Sequence, residues 1–224
     1  MGYNMSKKFF LLLIAPFLLF QDIRSEERED ILVRFVLENS TEIKTILSIN
    51  NADSLEKYFD NLPVKDIVLQ IIYCSKYLEL RPNNKICEIN LLKNIPKSEI
   101  ELSYFYRLTY QPFQDKDIDD KLNEIFCNYF EVIPRLINKH RAYIDDYFRL
   151  GFLVDGELGE MYASWCSWLL ERDCVWFLSN LMRTNSEIEA SILGLFELDM
   201  PDISCIRKCK SKIPEKYLKF FQIE

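Results

Sequence analysis

Residues 157–183 read ELGEMYASWCSWLLERDCVWFLSNLMR, and no turn cluster interrupts them. Trp165, Trp168, Leu169, Val175, Trp176, Leu178 and Leu181 recur at the three- and four-residue spacings that bring side chains onto one face of an α-helix. The stretch therefore predicts one long helix from Glu157 to Arg183. It carries all three tryptophans of the chain. Indoles at this spacing are expected in the core, or in a groove for a partner helix.

The same periodicity extends outward in both directions. Ala142–Leu153 reads as a helix ended by the turn Asp155-Gly156. Asp115–Asp120 opens another through Leu122, Ile125, Phe126, Tyr129, Phe130 and Ile133, which Pro134 is expected to kink or divide. On the far side, Ser186 with Glu189 reads as the cap of Ile188–Leu198, and a short helix is expected at Pro214–Phe221. Toward the N-terminus, Asp53 with Glu56 repeats the capping pattern. Pro63 suits the first turn of the next helix. That helix, with Ile67, Val68, Ile71, Ile72, Cys74, Tyr77 and Leu78, is apolar nearly all round and should be central. Ser98 with Glu101 marks another start.

Glycine numbers five in 224 residues, where average usage would give about fifteen. Sheets and phosphate loops need glycine in their turns, so its scarcity argues for helices joined by polar or proline-marked corners. The expected fold is all-α, either an irregular helical bundle or a short α-solenoid of HEAT-like helix pairs, with about 9–11 helices. One internal echo, Tyr58–Pro63 (YFDNLP) against Tyr129–Pro134 (YFEVIP), would support a repeat.

The chain begins differently. Residues 5–27 read MSKKFFLLLIAPFLLFQDIRSEE: two lysines, an apolar run from Phe9 to Phe20 and a polar exit. As a helix that run spans ~18 Å, short of the ~30 Å hydrocarbon core. Residues 1–25 are therefore read as a secretory signal peptide with cleavage after Ser25, and 26–224 as a single all-helical domain. The protein is expected to be exported, periplasmic or secreted; a retained leader would instead anchor it to a membrane. The net charge of −7 disfavours nucleic acid as a partner.

Export changes how the seven cysteines are read. Cys74 and Cys87 flank the turn at Pro82 and are candidates for a disulfide clamping two helices. Cys205 and Cys209 are candidates for bridges to other partners or to each other. Cys166 and Cys174, eight apart on one helix, would stand ~12 Å apart and cannot pair. Arg207, Lys208 and Lys210 beside Cys205 and Cys209 are expected to lower the thiol pKa values, which makes this pair the redox candidate.

No catalytic residue, cofactor or metal site is assigned. Asp115, Asp117, Asp119 and Asp120 resemble the start of a calcium loop, but Asp120 and Phe126 stand where glycine and glutamate are needed. His140 is the only histidine and reads as a polar residue at a helix junction. Asp155, Glu157 and Glu160 around Gly156 offer carboxylates without a spacing that implies chemistry. Arg207, Lys208, Lys210 and Lys212 form a basic patch fit to touch a membrane or envelope surface. The expected function is that of a non-enzymatic binding or scaffold module with a protein partner. An exported enzyme using the C-terminal thiols or the carboxylates around Gly156 is the alternative.

Overall fold

The structure, a computed structural model, describes residues 40–63, 65, 67–99, 101–102, 116–154 and 156–223. The leader, Asp155, and most of the helix expected after Ser98 lie outside the described residues, and so does the side chain of Glu157. What is described is helical: α1 (Ser40–Ser48), α2 (Ala52–Asp60), α3 (Ile67–Leu80), α4 (Lys85–Lys93), α5 (Lys116–Lys139), α6 (Ile144–Leu153), α7 (Gly156–Arg172), α8 (Cys174–Leu181), α9 (Ser186–Leu195), α10 (Ser204–Lys208) and α11 (Glu215–Phe220). Among these residues no helix is long and apolar enough to cross a membrane.

Asparagine or aspartate caps four of the helices. Asn51, Asn84, Asp173 and Asn185 each accept a hydrogen bond from the backbone N–H three residues on, at 2.8–3.0 Å. Each satisfies a donor that the first turn leaves without a helical partner. Two expected caps thereby shift. Asn51, not Asp53, caps α2, and Asn185, not Ser186, caps α9. At Ser98 the expected signature holds: its Oγ accepts from Glu101 N at 3.2 Å, and Glu101 Oε2 accepts from Lys97 N at 2.7 Å.

Two other expectations are corrected. The stretch 157–183 is two helices, because Asp173 leaves the helical conformation to cap α8. Pro63 lies in the connection ahead of α3, not in its first turn. Of the two outcomes expected at Pro134, division does not occur: the proline sits inside α5 without ending it. Leu122, Ile125, Phe126, Tyr129, Ile133, Leu136 and Ile137 are buried on both sides of that proline. Burial at ~1.5–3 kcal/mol per large apolar side chain outweighs the ~3 kcal/mol that an interior proline costs.

The core is one connected cluster, from Ile43 on α1 to Phe221 after α11. α3 is central to its first half, packing on α1, α2, α4 and α5. α5 then reaches α1, α3 and α4 on one side and α6 and α7 on the other, while α9 packs on both α6 and α7. Helices in a solenoid touch only their neighbours along the stack; here the chain forms an irregular bundle. The echo also dissolves. Its first copy closes a helix and continues into a loop, whereas the second runs through the middle of α5.

Candidate functional site

The buried stripe of α7 is Tyr162, Ala163, Cys166, Leu169 and Leu170. The tryptophans flank it. Trp165 and Trp168, three residues apart, meet edge to face with ring centres 5.5 Å apart, and both remain half-buried. Each indole carries a guanidinium: Arg135 of α5 lies 5.3 Å from the Trp165 ring, and Arg172 lies 5.1 Å from Trp168. On α8, Trp176 is covered by Arg141 at 4.7 Å. Arg141 donates to Asp173 Oδ2 at 2.7 Å, so the residue that caps α8 also orients the cation over its third residue. No carboxylate among the described residues pairs with Arg135 or Arg172. The tryptophans, expected in the core or in a groove for a partner helix, are thus half-buried, each with an arginine over its ring. The phase of α7 turns Cys166 and Leu170 inward and leaves Trp165 and Trp168 on the shoulder.

Beside this face, α7, α8 and α10 bound an open cleft of about 380 Å³ lined by Glu171, Arg172, Asp173, Asp202, Ser204, Lys208 and three cysteines, Cys174, Cys205 and Cys209. Asp202 holds the cleft together. Its backbone N–H donates to Glu171 Oε1 at 2.7 Å, and its carboxylate accepts from Ser204 N and Oγ at 2.9 and 2.8 Å. Those bonds keep the Asp202 carboxyl below the ordinary range. Cys174, the first residue of α8, is buried and donates to the Cys205 carbonyl oxygen at 3.3 Å. Its thiol lies within reach of both the Cys205 and Cys209 thiols. Burial, with these sulfur neighbours, pushes the Cys174 thiol up to about 12.

Cys205 is also raised, chiefly by burial. The expected activation by Arg207, Lys208 and Lys210 is therefore not found at Cys205. Those cations are exposed, Lys208 among the cleft's lining residues, while the Cys205 Sγ faces the carbonyl oxygens of Asp202 and Leu170 at 3.4 and 3.8 Å. Cys209 is half-buried at the end of α10. The sequence did not assign Cys174 to this group, because it lies 31 residues from Cys205; the short α8–α10 packing brings them together.

Cys74, Cys87, Cys166, Cys174, Cys205 and Cys209 are thiols that form no disulfide. Cys74 and Cys87 do meet across α3 and α4, both buried, with Cys74 holding its proton far above the ordinary range through its hydrogen bond with Cys87 and burial. Cys205 and Cys209 converge on Cys174.

His140 is engaged elsewhere. Glu88 of α4 is buried and accepts from Lys139 Nζ at 2.7 and 2.8 Å, and His140 Nε2 lies 2.8 Å from Glu88 Oε2. This knot ties the end of α5 to α4. Glu160 is exposed, and Asp117 and Asp119 occupy the first turn of α5. Among the described residues no group of three or more His, Cys, Asp or Glu side chains is arranged to hold a metal ion. Arg207, Lys208, Lys210 and Lys212 are all exposed, and none has a carboxylate partner among the described residues.

No protein-family model, no curated protein and no solved structure matches the chain.

Proposed function

We propose that this protein is a non-enzymatic binding module that uses the face formed by Trp165, Trp168, Trp176, Arg135, Arg141 and Arg172 to hold a protein segment bearing carboxylates. The supporting observation is the pairing of three half-buried indoles with three guanidiniums. Tryptophan and arginine are the side chains that contribute most when an interface forms. An indole supplies wide apolar contact, and a stacked guanidinium keeps its N–H edge free for a bidentate carboxylate bond. Arg135 and Arg172, free of acidic partners among the described residues, are the two that would bind the partner's carboxylates.

Selection of a displayed random-peptide library on the purified chain tests this. Peptides rich in Asp and Glu should be enriched, and their affinity should fall at least tenfold for Trp168→Ala and Arg172→Gln but not for Lys212→Ala. Binders that ignore the first two substitutions, or enrichment of basic peptides, would overturn the reading.

The basic patch supports a second contact. Four exposed cations on an acidic chain suit an anionic membrane or envelope surface. Sedimentation with vesicles containing phosphatidylglycerol, but not with phosphatidylcholine alone, is the expected result. It should be lost when Arg207, Lys208, Lys210 and Lys212 are all replaced by alanine. We read the protein as exported, on the lysines and apolar run of its leader; intact mass of the cell-fractionated protein, beginning at Glu26, tests that.

A further inference from the structure

We propose that the cleft between α7, α8 and α10 is a thiol-modification site, in which Cys209 takes up a small-molecule disulfide and Cys174 resolves it to an intramolecular Cys174–Cys209 bond. Three observations carry it. The three thiols come from separate points in the chain and line one open cleft. Cys174 is their common neighbour. The two candidates for pairing with it are held differently. Cys205 sits within α10, its sulfur turned onto the carbonyl oxygens of Asp202 and Leu170. Cys209 stands at the C-cap of α10, with φ −109° and ψ 16°, and its thiol lies beside that of Cys174.

The chemistry balances with one co-reactant, a disulfide of the glutathione class. The Cys209 thiolate attacks one sulfur of the oxidised glutathione, a thiolate leaves, and a mixed disulfide forms on Cys209. Cys174 then loses its proton to solvent, its sulfur attacks that of Cys209, and the second glutathione thiolate departs and takes up a proton. Two protein thiols are oxidised, and one small disulfide is reduced to two thiols. Burial suits the order of events: Cys209 is half-buried and reachable, while Cys174 is buried. Because burial holds the Cys174 proton tightly, the second step should quicken as pH rises above neutral.

Trypsin separates the participants. Cys174 falls in peptide 173–183, Cys205 in 184–207 and Cys209 in 209–210. The reduced full-length chain is incubated with oxidised glutathione, blocked with N-ethylmaleimide, digested and mapped by mass. The expected product is 173–183 joined to 209–210, formed faster at pH 9 than at pH 7. Cys205→Ala should retain the link, and Cys174→Ala should leave glutathione on Cys209. A wild-type map in which Cys174 is joined to Cys205, in which only Cys74 and Cys87 are joined, or in which Cys174 stays alkylatable after Cys209 is modified would overturn the proposal. The wild-type map decides by itself if a variant fails to fold.

Discussion

Asp173 and Arg141 meet at 2.7 Å across the junction of α7 and α8, and Asp173 Oδ1 also accepts from Trp176 N at 3.0 Å. One carboxylate thus caps a helix with one oxygen and holds a cation over an indole with the other. Asp173→Ala removes both. The loss of the cap costs about 1 kcal/mol and the partly exposed ion pair adds up to about 1 kcal/mol more. Urea denaturation should show an unfolding free energy lowered by that amount, with Asp173→Asn recovering most of the cap's share.

Glu88 sets an acid limit. Burial pushes its carboxyl up, but hydrogen bonds and charge from Lys139 and His140 outweigh burial and leave it below the ordinary value. A carboxyl whose folded pKa lies below its unfolded pKa stabilises the fold above the unfolded value, and that stabilisation is lost as pH falls through the folded one. The wild type should therefore lose stability over the acid range more steeply than Glu88→Gln. At neutral pH Glu88→Gln should be less stable by about 1–2 kcal/mol. Thermal denaturation at a series of pH values from neutral downward checks both parts. Parallel curves would show that Glu88 carries no linkage.

Gly151 of α6 is a point of close approach. A Cβ there would meet Ile192 Cδ1 at 2.4 Å and the Tyr162 ring at 2.6 Å. Tyr162 cannot yield, since its hydroxyl donates to the Tyr147 carbonyl oxygen at 2.6 Å and its ring stacks on that of Tyr147. Gly151→Ala should destabilise by about 1–3 kcal/mol through overpacking, despite alanine's better helix propensity. Differential scanning calorimetry should show a lower Tm; an unchanged or raised Tm would mean α6 and α9 separate easily.

The thiols should react in two groups. Cys127 is exposed, Cys205 and Cys209 are half-buried, and Cys74, Cys87, Cys166 and Cys174 are buried. With N-ethylmaleimide on the native reduced chain, the first three should be alkylated within minutes and the other four only on unfolding. Rapid reaction of Cys74 or Cys166 would show that α3 or α7 opens locally.

Much of the fold was legible in order along the chain. Helix class followed from spacing and scarce glycine, because both act within a few residues. The centrality of α3 followed from an apolar surface that only burial on several sides can satisfy. The cap at Ser98 followed from two residues three apart. The misread boundaries share a cause. Asp173 is a capping residue inside an apolar pattern that runs on past it, so periodicity concealed the break. Pro134 reads as a breaker, yet the buried residues on both sides of it hold α5 together.

The sequence by itself determined that this chain is helical and acidic, that Lys7 and Lys8 precede an apolar run from Phe9 to Phe20, and that its indoles lie on helices near residues 165–176. Those properties depend on composition and on neighbours within two turns. Tertiary structure alone decided which side of α7 faces inward, and so whether the indoles were core or surface. It also decided that Cys174 joins Cys205 and Cys209, and that His140 belongs to Glu88. These are contacts between residues 31 to 52 positions apart, whose partners are chosen by how whole helices pack and not by any spacing within one.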